Sequence, residues 1–246
     1  MEFIVVFFIG FFVSVLGSMT SGIMAALSLG LLMFTGLSPL AALGVHRVGA
    51  LSFQLSVFYK LLKHNQVVWS QVIPLTLIGV PAAFIGGFLV LSLDEELLGK
   101  IFGGLLLMFI PISVMWPHLG VHQHATSKLR KKIGYGLYAL SSVWGSSVII
   151  GVGFLTVYTH AYFLGNTILQ TKATTKIPAF IKGVIVLSMF AYAGYVDWQL
   201  SLVFAAGMAL GGYIGTHYAI KLGNMWLKNI LLVTLTGMSI KLIFGL

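Results

Sequence analysis

The chain contains no cysteine, which removes disulfides, thiolate metal ligands and cysteine nucleophiles. Acids are nearly as scarce: five Asp and Glu residues stand against 14 Lys and Arg, for a formal net charge of +9. Charged residues make up 8% of the 246, where a soluble domain carries roughly 25%. A water-facing surface cannot be built from so few. No carboxylate falls deep inside any long apolar run, which argues against cation pumps and carboxylate proton relays. No phosphate-binding loop or soluble ATP-hydrolysing domain is evident, so any active transport draws on an ion gradient, or the protein is a passive facilitator. No cofactor is indicated. His118, His122 and His124 cluster in the loop 117–133, but without a nearby acid or Cys they read as a solvated loop and not a metal site.

What remains is apolar: 59% hydrophobic residues and a mean hydropathy of +1.03. A bilayer crossing needs about 20 apolar residues. Runs of that kind occur at roughly 39–60, 71–92, 97–116, 174–195, 198–220 and 226–245. Two further regions, 3–36 and 133–164, are apolar but interrupted, the first at Gly17–Gly22 and the second at Ser141–Ser147. The pattern predicts an all-α polytopic membrane protein of about 8–10 hydrophobic segments, with short broken helices near the start of each half. The lipid bilayer is its first partner.

The basic residues lie mostly between the apolar runs, which makes them topology signals and not a nucleic-acid surface. Lys60, Lys63, Lys128, Arg130, Lys131, Lys132, Lys172, Lys221 and Lys228 fall on one side if crossings alternate, and all five acids on the other. That predicts both termini on the outer side.

The chain also repeats itself weakly. Trp69 and Trp198, Phe84 and Tyr213, Ile85 and Ile214, and Gly86 and Gly215 all stand 129 positions apart. Near the start of each half the spacing is 124, pairing Gly10 with Gly134 and Ser21-Gly22 with Gly145-Ser146. The predicted organisation is an N-terminal repeat (1–117), a basic cytoplasmic linker (118–132) and a C-terminal repeat (133–246). An odd number of crossings in each half would invert one against the other, the plan many secondary transporters use around a central site.

Arg47 is the basic residue that does not belong in a loop. It lies well inside the run GLSPLAALGVHRVGAL (36–51), and a charge at that depth normally faces a polar cavity or a partner. At the spacing of 129, His46-Arg47 falls on Thr175-Lys176. Pro178 on one side, and Gly44 and Gly49 on the other, are helix breakers near these points. Broken helices expose amides and dipole ends that suit a small anion. The candidate site is therefore Arg47 and Lys176 as neutralising charges, Ser21, Ser146, Ser147 and Thr175 as hydroxyl donors, and amides around Gly22 and Gly145. His46 is the titratable group placed to couple a proton. Lys182 lies deeper still, with no basic counterpart at Phe53. The competing reading has Arg47 and Lys176 snorkelling to opposite interfaces.

Two other function classes remain open from these residues. A non-transporting scaffold or assembly protein would show a tightly packed interior. An intramembrane hydrolase would set a histidine such as His160 or His217 against the serines of WGSS (144–147). Gly207, Gly211, Gly212 and Gly215 allow close helix packing, within one chain or across a homodimer.

The stretches ATTK (173–176), AGYVDWQLSLVFAAGMALGGYIGTHYAIKLG (193–223) and MSIKLI (238–243), with the GLSP entry at 36–39, resemble the TauE/SafE family of sulfur-anion transporters. The resemblance implies a permease of the bacterial inner membrane, not an enzyme, whose partner is a small sulfur-containing anion such as sulfite or an organosulfonate.

Overall fold

A computed structural model describes residues 2–20, 23–92, 123–147, 149 and 151–244. Among them every regular element is helical. Helices α1 (Glu2–Met19), α2 (Ile23–Phe34), α3 (Pro39–Leu62) and α4 (Trp69–Ser92) make up the first half. The second holds α5 (Lys128–Ser147), α6 (Val152–Thr159, continued by a π-helical turn His160–Leu164), α7 (Ile168–Thr174), α8 (Lys176–Tyr192) and α9 (Trp198–Phe244). The expected segment at 97–116 and the acids Asp94, Glu95 and Glu96 lie outside the described residues, as do His118 and His122 of the histidine cluster.

Local chemistry explains most boundaries. Ser38 caps α3, its Oγ accepting from Ala41 N at 3.3 Å, and Pro39 takes the first helical position, where its missing donor costs nothing. Thr167 and Gln170 form a capping box at the start of α7. Trp69 and Trp198 open α4 and α9, and both are exposed, as aromatic anchors at a membrane interface are. α9 bends at Gly223 (φ 74°), a backbone conformation glycine adopts without penalty. The bend separates the two runs expected at 198–220 and 226–245.

Pro39–Leu62, Trp69–Ser92 and Trp198–Leu227 are each long and apolar enough to cross a membrane, and α7 with α8 qualifies as one broken span bent by 43°. The sequence places that break at Ile177, before Pro178. The structure puts it at Thr175 and leaves Pro178 in the first turn of α8, where a helix needs no amide donor. α3 is continuous through His46-Arg47. Gly44 and Gly49 serve there as close-packing points, against the Tyr195 carbonyl and against Phe204 and Met208. α5 likewise runs unbroken through SSVWGSS to Ser147, because the serine hydroxyls bond within their own turn. Ser141 Oγ donates to Tyr138 O, and Ser147 Oγ to Trp144 O, each at 2.9 Å. The chain turns after it, at Ile149 (φ 65°) and Gly151 (φ 76°).

Packing between the halves is reciprocal. α1 lies along α9, and α5 lies along α4; α3 packs on α9, and α8 packs on α4; α3 and α8 meet each other in the middle. The glycines make the approach possible. A Cβ on Gly86 would strike Val143 O and Ser146 of α5, and one on Gly215 would strike Val15 and Ser18 of α1. Gly207 and Gly211 rest on the Phe7 and Phe11 carbonyls of α1, and Gly212 on Phe53 and Ser56 of α3. The glycine-rich helix is thus consumed by packing within one chain. Outward, α4 presents Ile73, Leu77, Phe84 and Phe88, an apolar face suited to lipid.

Candidate functional site

A cavity of about 240 Å³ lies between the halves. Its walls come from the ends of α1 and α5, the faces of α3 and α8 that meet, and α7. It is smaller than the roughly 300–1,000 Å³ of drug-sized pockets, so its occupant is a small molecule.

Four cations line it: Arg47 from α3, Lys172 from α7, and Lys176 and Lys182 from α8. No carboxylate pairs with any of them among the described residues. Asp197 is spent on the start of α9, where its Oδ1 accepts from Leu200 N at 3.0 Å. Arg47, only 6% exposed, instead donates to backbone. Nη2 reaches Ser146 O at 2.5 Å and Ser147 O at 3.0 Å, and Nη1 reaches Gly145 O at 3.4 Å. Lys172 Nζ donates to Ser18 O at 2.5 Å and Thr20 O at 2.8 Å. Lys182 Nζ donates to Ser142 Oγ at 3.0 Å and lies 5.1 Å from the centre of the Tyr138 ring. Lys176 Nζ rests over the Phe53 ring at 4.6 Å and has no hydrogen-bond partner among the described residues. A cation without a partner in an apolar setting is the arrangement a bound anion relieves.

The cavity brings together six of the nine residues expected from sequence: His46, Arg47, Gly145, Ser146, Thr175 and Lys176. Arg47 and Lys176 face this one space and not two separate interfaces. Ser147 lies just behind the wall, contributing its carbonyl to Arg47. Ser21 and Gly22 lie outside the described residues. The hydroxyls divide by whether their proton is already used. Thr175 Oγ1 donates to Thr171 O at 2.7 Å and Ser147 Oγ to Trp144 O, whereas Ser146 Oγ is buried without a partner. His46 Nδ1 meets Ser28 Oγ at 2.6 Å, and its Nε2 is unpartnered. Arg47 Nε, Gln54 Oε1 and Thr216 Oγ1 are also buried and unsatisfied, and all belong to cavity-lining residues. Orphaned buried polar atoms are few in folded proteins; their concentration here marks a space built to be filled.

Sequence reasoning missed Lys172 and Ser142. Lys172 reads as a loop anchor because it precedes an apolar run. The signal that would have found it is its spacing of four from Lys176, which sets both on nearly the same side of a helical path. The structure also shifts the pairing of the first helices. Gly17 packs on Met24 and Gly145 on Val152, while Ser18 meets Gly215 and Ser146 meets Gly86. Gly17-Ser18 and Gly145-Ser146 thus share a packing environment, at a spacing of 128; Ser21-Gly22, paired with Gly145-Ser146 from sequence, lies outside the described residues.

Neither alternative class finds its expected geometry. The interior is not closed, as a scaffold would have it. Among the described residues no histidine comes within hydrogen-bond reach of Ser146 or Ser147: His160 Nδ1 faces Asn166 Nδ2 at 3.4 Å, part of a buried cluster with Gln71. No group of three or more potential metal ligands occurs among the described residues.

Comparison with known proteins follows the same direction. The profile of the family described as sulfite exporter TauE/SafE matches residues 5–242. A probable membrane transporter protein of Sinorhizobium sp is 25% identical over 222 residues, covering 86% of this chain and 81% of the relative. One from Sinorhizobium fredii is 29% identical over 246 residues, covering 91% and 89%. A third, from Haemophilus influenzae, is 21% identical over 249 residues, covering 98% and 94%. No solved structure matches the chain.

Proposed function

The chain belongs to the sulfite exporter TauE/SafE family, and on that premise we propose that this multi-pass membrane transporter carries small sulfur-containing anions, sulfite or organosulfonates, through the cavity between its halves. The observation that carries the reading is the charge inventory of that cavity: Arg47, Lys172, Lys176 and Lys182 converge on it, and no acid among the described residues opposes them. Holding a charge at membrane depth costs a few kcal/mol, and a transporter of anions recovers that cost each time it binds substrate. An oxyanion fits because several fixed donors can replace its hydration shell. Lys176 and Lys182 supply charge, Ser146 Oγ and Arg47 Nε supply unused donors, and His46 stands beside them as the group for proton coupling.

The halves 1–117 and 133–246, joined by the basic linker 118–132, act as two inverted repeats. The reciprocal packing of α1 on α9 and α5 on α4 is what this arrangement would produce. The protein resides in a bacterial inner membrane with both termini outside, following the basic loops. Calorimetric titration of the purified protein with sulfite, methanesulfonate and thiosulfate tests the reading. Binding of at least one, lost in Lys176→Met, is the expected result. No binding of any of the three refutes it.

A further inference from the structure

The two cations held by backbone carbonyls, Arg47 and Lys172, perform the same task in opposite halves. Each holds the C-terminal end of the first helix of one half. Arg47 binds the last carbonyls of α5, at Gly145, Ser146 and Ser147. Lys172 binds the carbonyls at the end of α1, at Ser18 and Thr20. A helix C-terminus carries unsatisfied carbonyls and roughly half a negative charge, and it commonly draws a basic residue from its own last turn. Neither α1 nor α5 has one. Each receives its cation from the other half of the chain, α5 from α3 and α1 from α7. The two ends are also matched in their packing, Gly17-Ser18 against Gly145-Ser146.

Both clamps open onto the cavity. A cation there is shared between carbonyls, which are neutral dipoles, and whatever enters the space beside it. Hydrogen bonds from a cation to an anion are about twice as strong as those between neutral partners. Arg47 and Lys172 also each keep a donor that the carbonyls do not use: Nε of Arg47 is buried without a partner, and two of the three ammonium hydrogens of Lys172 are engaged. An arriving anion takes the free donor first and then competes for the rest. Its charge at the same time repels the negative end of the helix.

We propose that Arg47 and Lys172 are paired latches, one on each half, which a bound anion draws away from the ends of α5 and α1, freeing those helix ends to move. This rests on the anion reading of the cavity, and it adds Lys172 as a positioning residue equivalent to Arg47. It also supplies the step that transport needs: occupancy of the site is reported to the ends of α1 and α5 by the groups that neutralise the substrate.

Amide hydrogen exchange on the full-length protein, with and without saturating sulfite whose binding is followed by calorimetry in the same preparation, tests it. Sulfite should speed exchange at residues 17–20 and 145–147 by about tenfold, the ratio for losing one hydrogen bond to a charged group, and leave the middle of α4 unchanged. Lys172→Gln should exchange fast at 17–20 without sulfite and show no further response there, while 145–147 still responds; Lys172→Arg should restore the wild-type pattern. A purely structural cap explains the fast exchange in Lys172→Gln but not a sulfite response in the wild type, so the decision does not depend on that variant folding. Binding of sulfite with unchanged or slower exchange at both helix ends overturns the latches and leaves the binding site standing. No sulfite binding at all removes sulfite as the occupant and the latch mechanism with it.

Discussion

Replacing Lys176 with methionine separates what this lysine costs from what it does. A lysine near the middle of a membrane helix costs about 2.5–3.5 kcal/mol on insertion scales. The Phe53 ring, 4.6 Å from Nζ, returns about 0.5–2 kcal/mol. No hydrogen bond adds to that among the described residues. The net penalty is thus about 0.5–3 kcal/mol. Methionine keeps the length and the contact with Phe53 but removes the charge. At about 2–4 °C per kcal/mol for a chain of this size, Lys176→Met should raise the ligand-free unfolding midpoint by about 1–12 °C. Sulfite separates the two proteins. At a concentration 100 times its Kd it should add about 2.7 kcal/mol to the wild type, a further rise of about 5–11 °C, and nothing to the variant. Tryptophan fluorescence during heating in detergent, at one fixed scan rate, reads both effects. A lower midpoint for ligand-free Lys176→Met, or a sulfite shift retained in it, would refute the reasoning.

Three further outcomes follow from the geometry. Gly86→Ala drives a methyl group into the Val143 carbonyl of α5 and should cost about 1–3 kcal/mol; Gly136→Ala meets nothing within 4 Å and should be neutral or gain up to about 1 kcal/mol, both read as midpoint shifts. Gln71 and Asn166 exchange two buried side-chain hydrogen bonds of 3.1 and 2.7 Å. Alanine at either should cost about 1–3 kcal/mol, and at both together less than the sum by at least about 0.5 kcal/mol, measured as a double-mutant cycle. Arg47→Lys keeps the charge but loses the fork that spans three carbonyls, and should weaken sulfite binding about tenfold or more in the titration.

Much of this molecule is readable from its residues, because membrane helices announce themselves by composition. Trp69 and Trp198 open α4 and α9 as their spacing indicates, and the six apolar runs fall on helices wherever the structure describes them. The cavity lining is legible at Arg47 and Lys176, since a cation inside an apolar run normally faces a polar space. The misreadings concern residues whose local preference and tertiary use differ. The serines of SSVWGSS look like a break, yet their hydroxyls bond to carbonyls of their own turn and the helix continues. Pro178 looks like the breaker at Ile177, but one turn into a helix it has no donor to lose. Lys172 looks like a loop anchor because nothing in one dimension shows that the carbonyls of Ser18 and Thr20 stand 152–154 positions away in sequence and next to it in space. Hydrogen bonds at that range are fixed by helix packing, which depends on which glycine faces which backbone.

The site is less symmetric than the packing around it, and the asymmetry has a direction. At the spacing of 129, Lys182 corresponds to Phe53, and Lys176 to Arg47. The first half therefore offers one cation, and that one is tied to three carbonyls of α5. The second half offers three, of which only Lys172 is held by backbone. Where the first half lacks a lysine it presents an aromatic face, and that face carries the Lys176 ammonium. On the anion reading, Phe53 shelters the Lys176 ammonium in the way a bound anion would. An anion entering the cavity meets its free charge on α8 and an aromatic and aliphatic wall on α3, where Val57 and Leu61 continue the line of Phe53. On the anion reading, a bare oxyanion would use only the α8 side of such a space, leaving the apolar wall of α3 for whatever the oxyanion is attached to.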